Sequence, residues 1–294
     1  MNRKLAFLAA FSAAVIYGVS FTVAKEVMPQ YIKPFGFIVL RVSGATVLFW
    51  LFSLFMPKEK IDLKDYIRFF AAAIFGVALN MLTFFKGLSY TTPINGAVMM
   101  LTTPILILGL STIILKEKIT KTKILGILIG VFGAITLITY KQQNTSNGTN
   151  IPLGNFLVFV NAVSYALYLV ISKPILTKYS PFTFAKWLYL FGLLMVLPFG
   201  YNQAIAIQWQ EFPLEITLKT LYIVVATTFL TYLFNIIALR TLKPTTLSVF
   251  IYIQPLVATI YAIGTGKDTL TTVKILAGSL IFLGVYIVTK KKNK

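Results

Sequence analysis

Apolar side chains in this chain come in long, nearly unbroken runs, each closed by a short polar or proline-bearing break. Ten such runs cover residues 5–26, 35–56, 67–86, 95–115, 123–140, 154–175, 183–200, 219–240, 246–265 and 273–290. The breaks carry turn residues, among them Met28-Pro29-Gln30, Pro57 to Lys60, Thr92-Pro93, Ser180-Pro181 and Lys243-Pro244. Crossing an apolar layer of about 30 Å takes roughly 20 residues of helix. Only helices and closed barrels satisfy their backbone groups there, and the alternating segments of about ten residues that mark a membrane barrel are missing. The pattern predicts an all-α polytopic membrane protein with ten transmembrane helices.

The runs also repeat. Gly87 to Lys141 moved forward by 151 positions falls on Ala238 to Lys292 without a gap. Pro93 meets Pro244, Pro104 meets Pro255, Lys116-Glu117 meets Lys267-Asp268, and Gly133 meets Gly284. Upstream, at an offset of 148, Tyr17 meets Tyr165, Lys25 meets Lys173 and Tyr31 meets Tyr179. Leu and Ile match by chance in apolar sequence, whereas ordered prolines and charges do not, so the chain is an internal duplication. Residues 1–143 form the first five-helix repeat, 144–152 a linker, and 153–294 the second repeat.

Charge sets the orientation. With the N-terminus inside, 19 of the 27 Lys and Arg residues fall on the cytoplasmic side, seven on the other, and Arg41 lies within a span. The positive-inside rule then puts both termini in the cytoplasm and makes 144–152 an extracytoplasmic linker. Arg3-Lys4 before the first run has the look of a signal peptide. That run is too long for an h-region and has no small-residue cleavage site, so it reads as a retained helix of an inner (plasma) membrane protein. Five helices per repeat is odd, so the halves enter the membrane from opposite sides. Inverted duplications recur among secondary transporters, with substrate held near the midplane between the halves.

Composition narrows the chemistry. The chain is 57% hydrophobic with mean hydropathy +0.83, and its net charge of +19 sits in loops, which argues for a membrane and against nucleic acid as its partner. It has no Cys and no His. That excludes a disulfide framework, thiolate or imidazole metal sites and the commonest general base, and no cofactor is expected. All eight acids (Glu26, Glu59, Asp62, Asp65, Glu117, Glu211, Glu215, Asp268) lie at span ends or in loops. A proton relay needs an ionisable group within the membrane, so movement of a solute is expected to be facilitated, or driven by membrane potential when the solute is charged.

On these residues the chain resembles the drug/metabolite transporter superfamily, specifically its ten-helix EamA-type permeases. The likeness rests on Tyr17-Gly18-Val19-Ser20-Phe21 with Lys25, and on Arg41 to Ala45. Its most specific part is the run Gly87-Leu88, Asn95-Gly96-Ala97, Thr103-Pro104, Lys116-Glu117-Lys118, Leu125-Gly126 and Gly133. The family usually has Trp where Tyr17 stands. The resemblance implies a permease, not an enzyme, that exports small organic metabolites such as amino acids, acting as a monomer or homodimer. It also implies a cavity lined by helices 1, 3 and 4 with 6, 8 and 9.

The midspan polar residues give the candidate site. Asn80, Asn161, Asn235 and Gln254 lie on helices 3, 6, 8 and 9, with Asn80 and Asn235 expected at the same place in each repeat. Tyr17 and Tyr165 form a pseudo-equivalent aromatic pair. Arg41 either anchors a substrate carboxylate or snorkels toward its helix end. Each amide either binds substrate or ties helices together. Pro104 and Pro255 fall mid-span as kinks or hinges. Gly126, Gly130 and Gly133 in helix 5, with Gly278 and Gly284 in helix 10, read as close-packing positions, so these two helices are expected to pack away from the cavity. The competing classes, a lipid-processing membrane enzyme or a non-transporting scaffold, would need a midspan nucleophile or no inverted duplication at all.

Overall fold

A computed structural model of the chain describes residues 2–28, 30–91, 99–139, 150–264 and 271–289. The expected Thr92-Pro93 break, most of the linker and the Lys267-Asp268 turn lie outside these residues. Among the described residues the chain is helical throughout, and a helix stands at each of the ten expected places. They are α1 (Arg3–Val27), α2 (Pro34–Ser53), α3 (Leu63–Tyr90), α4 (Thr103–Ile114), α5 (Lys121–Thr139), α6 (Ile151–Lys178), α7 (Pro181–Ile205) and α8 (Leu214–Thr241). The ninth, α9, runs in three consecutive pieces, Pro244–Leu247, a 3-10 stretch Ser248–Tyr252 and Ile253–Gly264; α10 is Thr272–Thr289. Seven of these helices are long and apolar enough to cross a membrane. Large apolar side chains such as Leu63, Ile113, Phe132, Phe199 and Leu214 point outward, which only a lipid environment makes favourable over so much surface.

Proline starts several helices. Pro34, Pro152, Pro181 and Pro244 each sit in a first turn, where the missing N–H has no helical acceptor to lose. Ser180 caps α7 by accepting from Thr183 N at 3.2 Å. The Glu59 carboxylate accepts from Ser180 N at 3.0 and 3.1 Å. Burial alone would raise the Glu59 pKa, but the hydrogen bonds from Thr183 and Ser180 hold it below the ordinary carboxylate value.

Packing between the halves is self-complementary. Helix α2 packs on its counterpart α7 and α5 on its counterpart α10. The other contacts come in exchanged pairs: α3 on α6 with α8 on α1, α4 on α6 with α9 on α1, and α3 on α7 with α8 on α2. This is the contact pattern of a two-fold relation, here within one chain. Glycines allow the closest approaches. A Cβ on Gly126 would lie 2.9 Å from Gly284 O, and one on Gly133 2.8 Å from Ala277 O; Gly44 faces Val224 as Gly192 faces Val77. Gly126 of α5 and Gly284 of α10 thus meet backbone against backbone, whereas Gly130 and Gly278 also meet the Tyr252 and Leu256 side chains of α9.

Two helices widen into π turns at corresponding places, Ile74–Ala78 in α3 and Ile223–Leu230 in α8. A π turn frees carbonyls, and side chains take them up. Ser164 donates to Phe75 O at 2.8 Å and Tyr232 Oη to Gly76 O at 2.9 Å. In α8, Thr228 and Thr231 donate five residues back, to Ile223 O and Ala226 O.

Candidate functional site

Both prolines read as mid-span kinks or hinges stand next to irregular backbone. A turn at 101–102 precedes α4, with Pro104 in the first turn after it, and Pro255 follows the 3-10 stretch of α9. Before Pro104 the helix is interrupted by a turn, whereas before Pro255 the span stays helical and changes from 3-10 to α geometry. The 3-10 stretch matters because Leu247, Ser248, Phe250 and Ile251 of this region, with Gln254, form one wall of a cleft. The other walls are Ala10, Ala14 and Tyr17 of α1, Tyr165 and Leu169 of α6, and Asn235 of α8. The cleft encloses only about 10 Å³, room for about one water, so in this conformation it is nearly closed.

The cleft brings Tyr17, Tyr165, Asn235 and Gln254 together, two aromatics and two amides from four helices and both repeats. None of these four side chains has a hydrogen bond to another described residue. Open amides and hydroxyls beside irregular backbone are what a polar solute requires, whereas a dry core would leave them unsatisfied at about 1–3 kcal/mol each. No residue of α5 or α10 lines the cleft.

The remaining candidates lie elsewhere. Asn161 is buried and donates from Nδ2 to Asn80 O at 2.7 Å, tying α6 to α3. The Asn80 side chain is half-buried two residues beyond the π segment. Arg41 is 6% exposed and does not snorkel. Its Nε donates to Thr228 Oγ1 at 3.0 Å, in the π segment of α8, with the Phe37 and Phe85 rings against its guanidinium. The 3-10 wall and the Thr228 contact were not anticipated. The run Thr227-Thr228 with Thr231, hydroxyls inside an apolar span, was their visible signal.

The end of the molecule where α1 begins and α10 finishes, joined by Arg3 donating to Thr289 O at 3.3 Å, carries two polar clusters, the first part-exposed and the second buried. In one, Lys178 pairs with Asp62 and Asp65, and Tyr179 Oη donates to Asp65 at 2.7 Å, clamping the α2–α3 connection to α6. In the other, Lys116 at the end of α4 has φ 51°, in the left-handed region, and the turn directs Glu117 inward. The buried Glu117 accepts from Lys123 Nζ at 2.5 Å and Thr245 Oγ1 at 2.7 Å, while Lys123 also donates to Thr245 at 2.7 Å. This cluster latches the α4–α5 turn to the start of α9, just below the cleft wall. Among the described residues no cluster of acids could hold a metal ion.

Comparison with known proteins places this arrangement. The model of the EamA-like transporter family matches twice, over residues 4–139 and 152–290. An uncharacterized transporter of Archaeoglobus fulgidus is 27% identical over 94% of this chain and 95% of its own length. The uncharacterized transporter YyaM of Bacillus subtilis is 24% identical over 92% and 89%. A WAT1-related protein of Arabidopsis thaliana is 25% identical over 92% of this chain and 76% of its own. One solved crystal structure superposes with a TM-score of 0.80 at 16% identity, over 98% of this chain and 97% of the other. That likeness concerns the fold. The relatives named as transporters point to membrane transport rather than catalysis.

Proposed function

Because the chain belongs to the EamA-like transporter family, we propose that it is a secondary transporter that exports small organic metabolites, such as amino acids or related compounds, by alternating access between its two inverted halves. The observation that carries this reading is the cleft built from both repeats, with the 3-10 stretch of α9 as one wall and four polar side chains without hydrogen bonds to other described residues opening on it. Discontinuous helices at a repeat interface recur in transporters because their backbone groups are free to meet solute. Tyr17 and Tyr165 offer ring faces to an apolar body, and Asn235 and Gln254 offer donors and acceptors to its polar end. In this reading the protein sits in the inner membrane with both termini cytoplasmic, and the cleft lies in the cytoplasmic half. Residues 1–143 and 153–294 act as the two moving units, in a monomer or homodimer.

A thermal-shift screen of amino acids, nucleosides and sugars identifies the solute, and flux into proteoliposomes tests the site. Asn235→Ala and Gln254→Ala each lower flux about tenfold without lowering the melting temperature, since a lost solute hydrogen bond is worth about 1.5 kcal/mol. Asn161→Ala does the reverse, costing about 0.6 kcal/mol of stability at unchanged flux per folded molecule. Equal flux in wild type and Asn235→Ala would remove the cleft from the pathway.

Topology is tested separately, and the absence of native cysteine makes labelling clean. A cysteine at Asn147 reacts with an impermeant maleimide on intact cells and one at Lys292 does not. The opposite pattern inverts the orientation argued from charge.

A further inference from the structure

Positions 3, 7, 10, 14 and 17 of α1, three or four residues apart, share one face of the helix. They carry Arg3, Phe7, Ala10, Ala14 and Tyr17, and the last three line the cleft. The two alanines leave room along this wall, and an aromatic ring stands at either end of them. Tyr17 marks the midspan end. Phe7 marks the end nearer the termini, two turns closer to the start of α1 than Ala14.

The Phe7 ring reaches across to α9. It stacks on Phe250 with ring centres 6.2 Å apart and planes at 29°, and Phe250 belongs to the 3-10 wall of the cleft. The Arg3 guanidinium carbon lies over the Phe7 ring, 5.3 Å from its centre. Arg3 also donates to Thr289 O at the C-terminal end of α10, where the helix dipole favours a cation. The row Arg3, Phe7, Phe250 thus joins α1, α9 and α10 across the end of the cleft that faces the termini. Ring–ring and cation–ring contacts are each of modest strength, so such a row can hold a closed arrangement and still part.

The other half is built without this row. Under the offsets of 148 and 151, Arg3, Phe7 and Phe250 correspond to Ile151, Asn155 and Met99. Asn155 accepts instead from Thr91 Oγ1 at 2.6 Å. The fold therefore does not require two phenylalanines and an arginine at this place.

We propose that Phe7, steadied by Arg3 and closed against Phe250, is the gate of the cleft on the side of the termini, and that solute passes between the cleft and that side of the membrane when the two rings part. This rests on the transporter reading above. The gate is shut in the present conformation, which agrees with a cleft that has room for about one water.

The test is thiol labelling of the full-length protein, which has no cysteine of its own. Ser248→Cys reports from the cleft wall, and Ala162→Cys, buried in α6 and not part of the cleft lining, is the reference. Rates are measured with N-ethylmaleimide and with the bulkier fluorescein maleimide. Phe7→Ala is expected to speed labelling at 248 about tenfold, and by a larger factor for the bulky reagent, with the rate at 162 unchanged. Arg3→Gln keeps the ring but removes what steadies it, and speeds labelling at 248 about threefold. Phe7→Leu fills the space without stacking, gives an intermediate rate, and carries the test should the alanine variant not fold. Unchanged rates at 248 in both Phe7 variants overturn the proposal, since the rings are then packing alone. Equal acceleration at 248 and 162 overturns it as well, by making the effect a general loosening. If Asn235→Ala lowers flux of the solute found by thermal shift while Phe7→Ala changes neither labelling nor flux, the transport reading stands and the gate falls.

Discussion

Gly284→Leu is expected to be the most damaging single substitution in the membrane core, costing about 2–3 kcal/mol or preventing folding altogether. A Cβ at Gly284 would lie 2.6 Å from Gly126 O, 2.7 Å from Gly130 N and 2.9 Å from Gly130 Cα. All three are backbone atoms, which no rotamer change can move aside. The two helices must separate along the seam where α5 meets α10, and helix association in lipid depends on that close contact because burial of apolar area contributes little there. Gly109→Leu is the control. Nothing lies within 4 Å of a Cβ at Gly109, and replacing a helical glycine gains up to about 1 kcal/mol of propensity. Melting temperature in detergent and the monodisperse fraction check both. A Gly284→Leu protein as stable as Gly109→Leu would mean that the seam is not a close helix contact.

Glu117→Ala is expected to cost about 3 kcal/mol and to open the cleft at the end that carries both termini. The Glu117 side chain is 5% exposed and that of Lys123 15% exposed. Removing one partner leaves a largely buried ammonium unpaired, which is the costly case, whereas removing both is far milder. Lys123→Met combined with Glu117→Gln should therefore recover most of the loss, with a coupling energy of at least about 1 kcal/mol in the double-mutant cycle. A cysteine at Ser248, buried in the cleft wall, should react with a small maleimide at least about tenfold faster in the Glu117→Ala background, since the α4–α5 turn no longer holds the start of α9. Unchanged reactivity would reduce the cluster to a structural ion pair.

Much of the architecture was legible in the amino-acid order, because apolar runs of helical length report membrane spans directly and prolines with charges at fixed offsets report duplication. Local departures from the α-helix were not. Ile223 to Leu230 is uniformly helical in pattern, and nothing in its apolarity distinguishes a π turn from an α turn. Pro104 and Pro255 marked the right places, yet a proline inside a span reads equally as a kink or as the first turn after a break. Asn80 and Asn235 stand on counterpart helices but are out of register. Under the 151 offset Asn80 corresponds to Thr231 and Asn235 to Phe84. A shift of one helical turn suffices to leave one amide on the cleft and the other beside α6. Which midspan polar group meets which is decided by helix crossings between the halves, and those crossings depend on small residues such as Gly76 lying against the Tyr168 ring.

The latch has a further consequence when its counterpart positions are compared. In a perfectly symmetric inverted duplication, exchanging the conformations of the two halves turns an inward-open molecule into an outward-open one of identical energy, and neither state is preferred. Any resting preference must come from positions where the repeats differ. Glu117 and Lys123 recur as Asp268 and Lys274, but Thr245 and Lys243, whose Nζ lies 3.8 Å from the Glu117 carboxylate, correspond to Ile94 and Thr92. The first set thus carries an ammonium, Lys243, where the other has the Thr92 hydroxyl, and a hydroxyl, Thr245, where the other has the apolar Ile94. A difference of about 1.4 kcal/mol between the closures is a tenfold difference in occupancy. If the halves do alternate, these differences are where a resting preference between the two closures would arise.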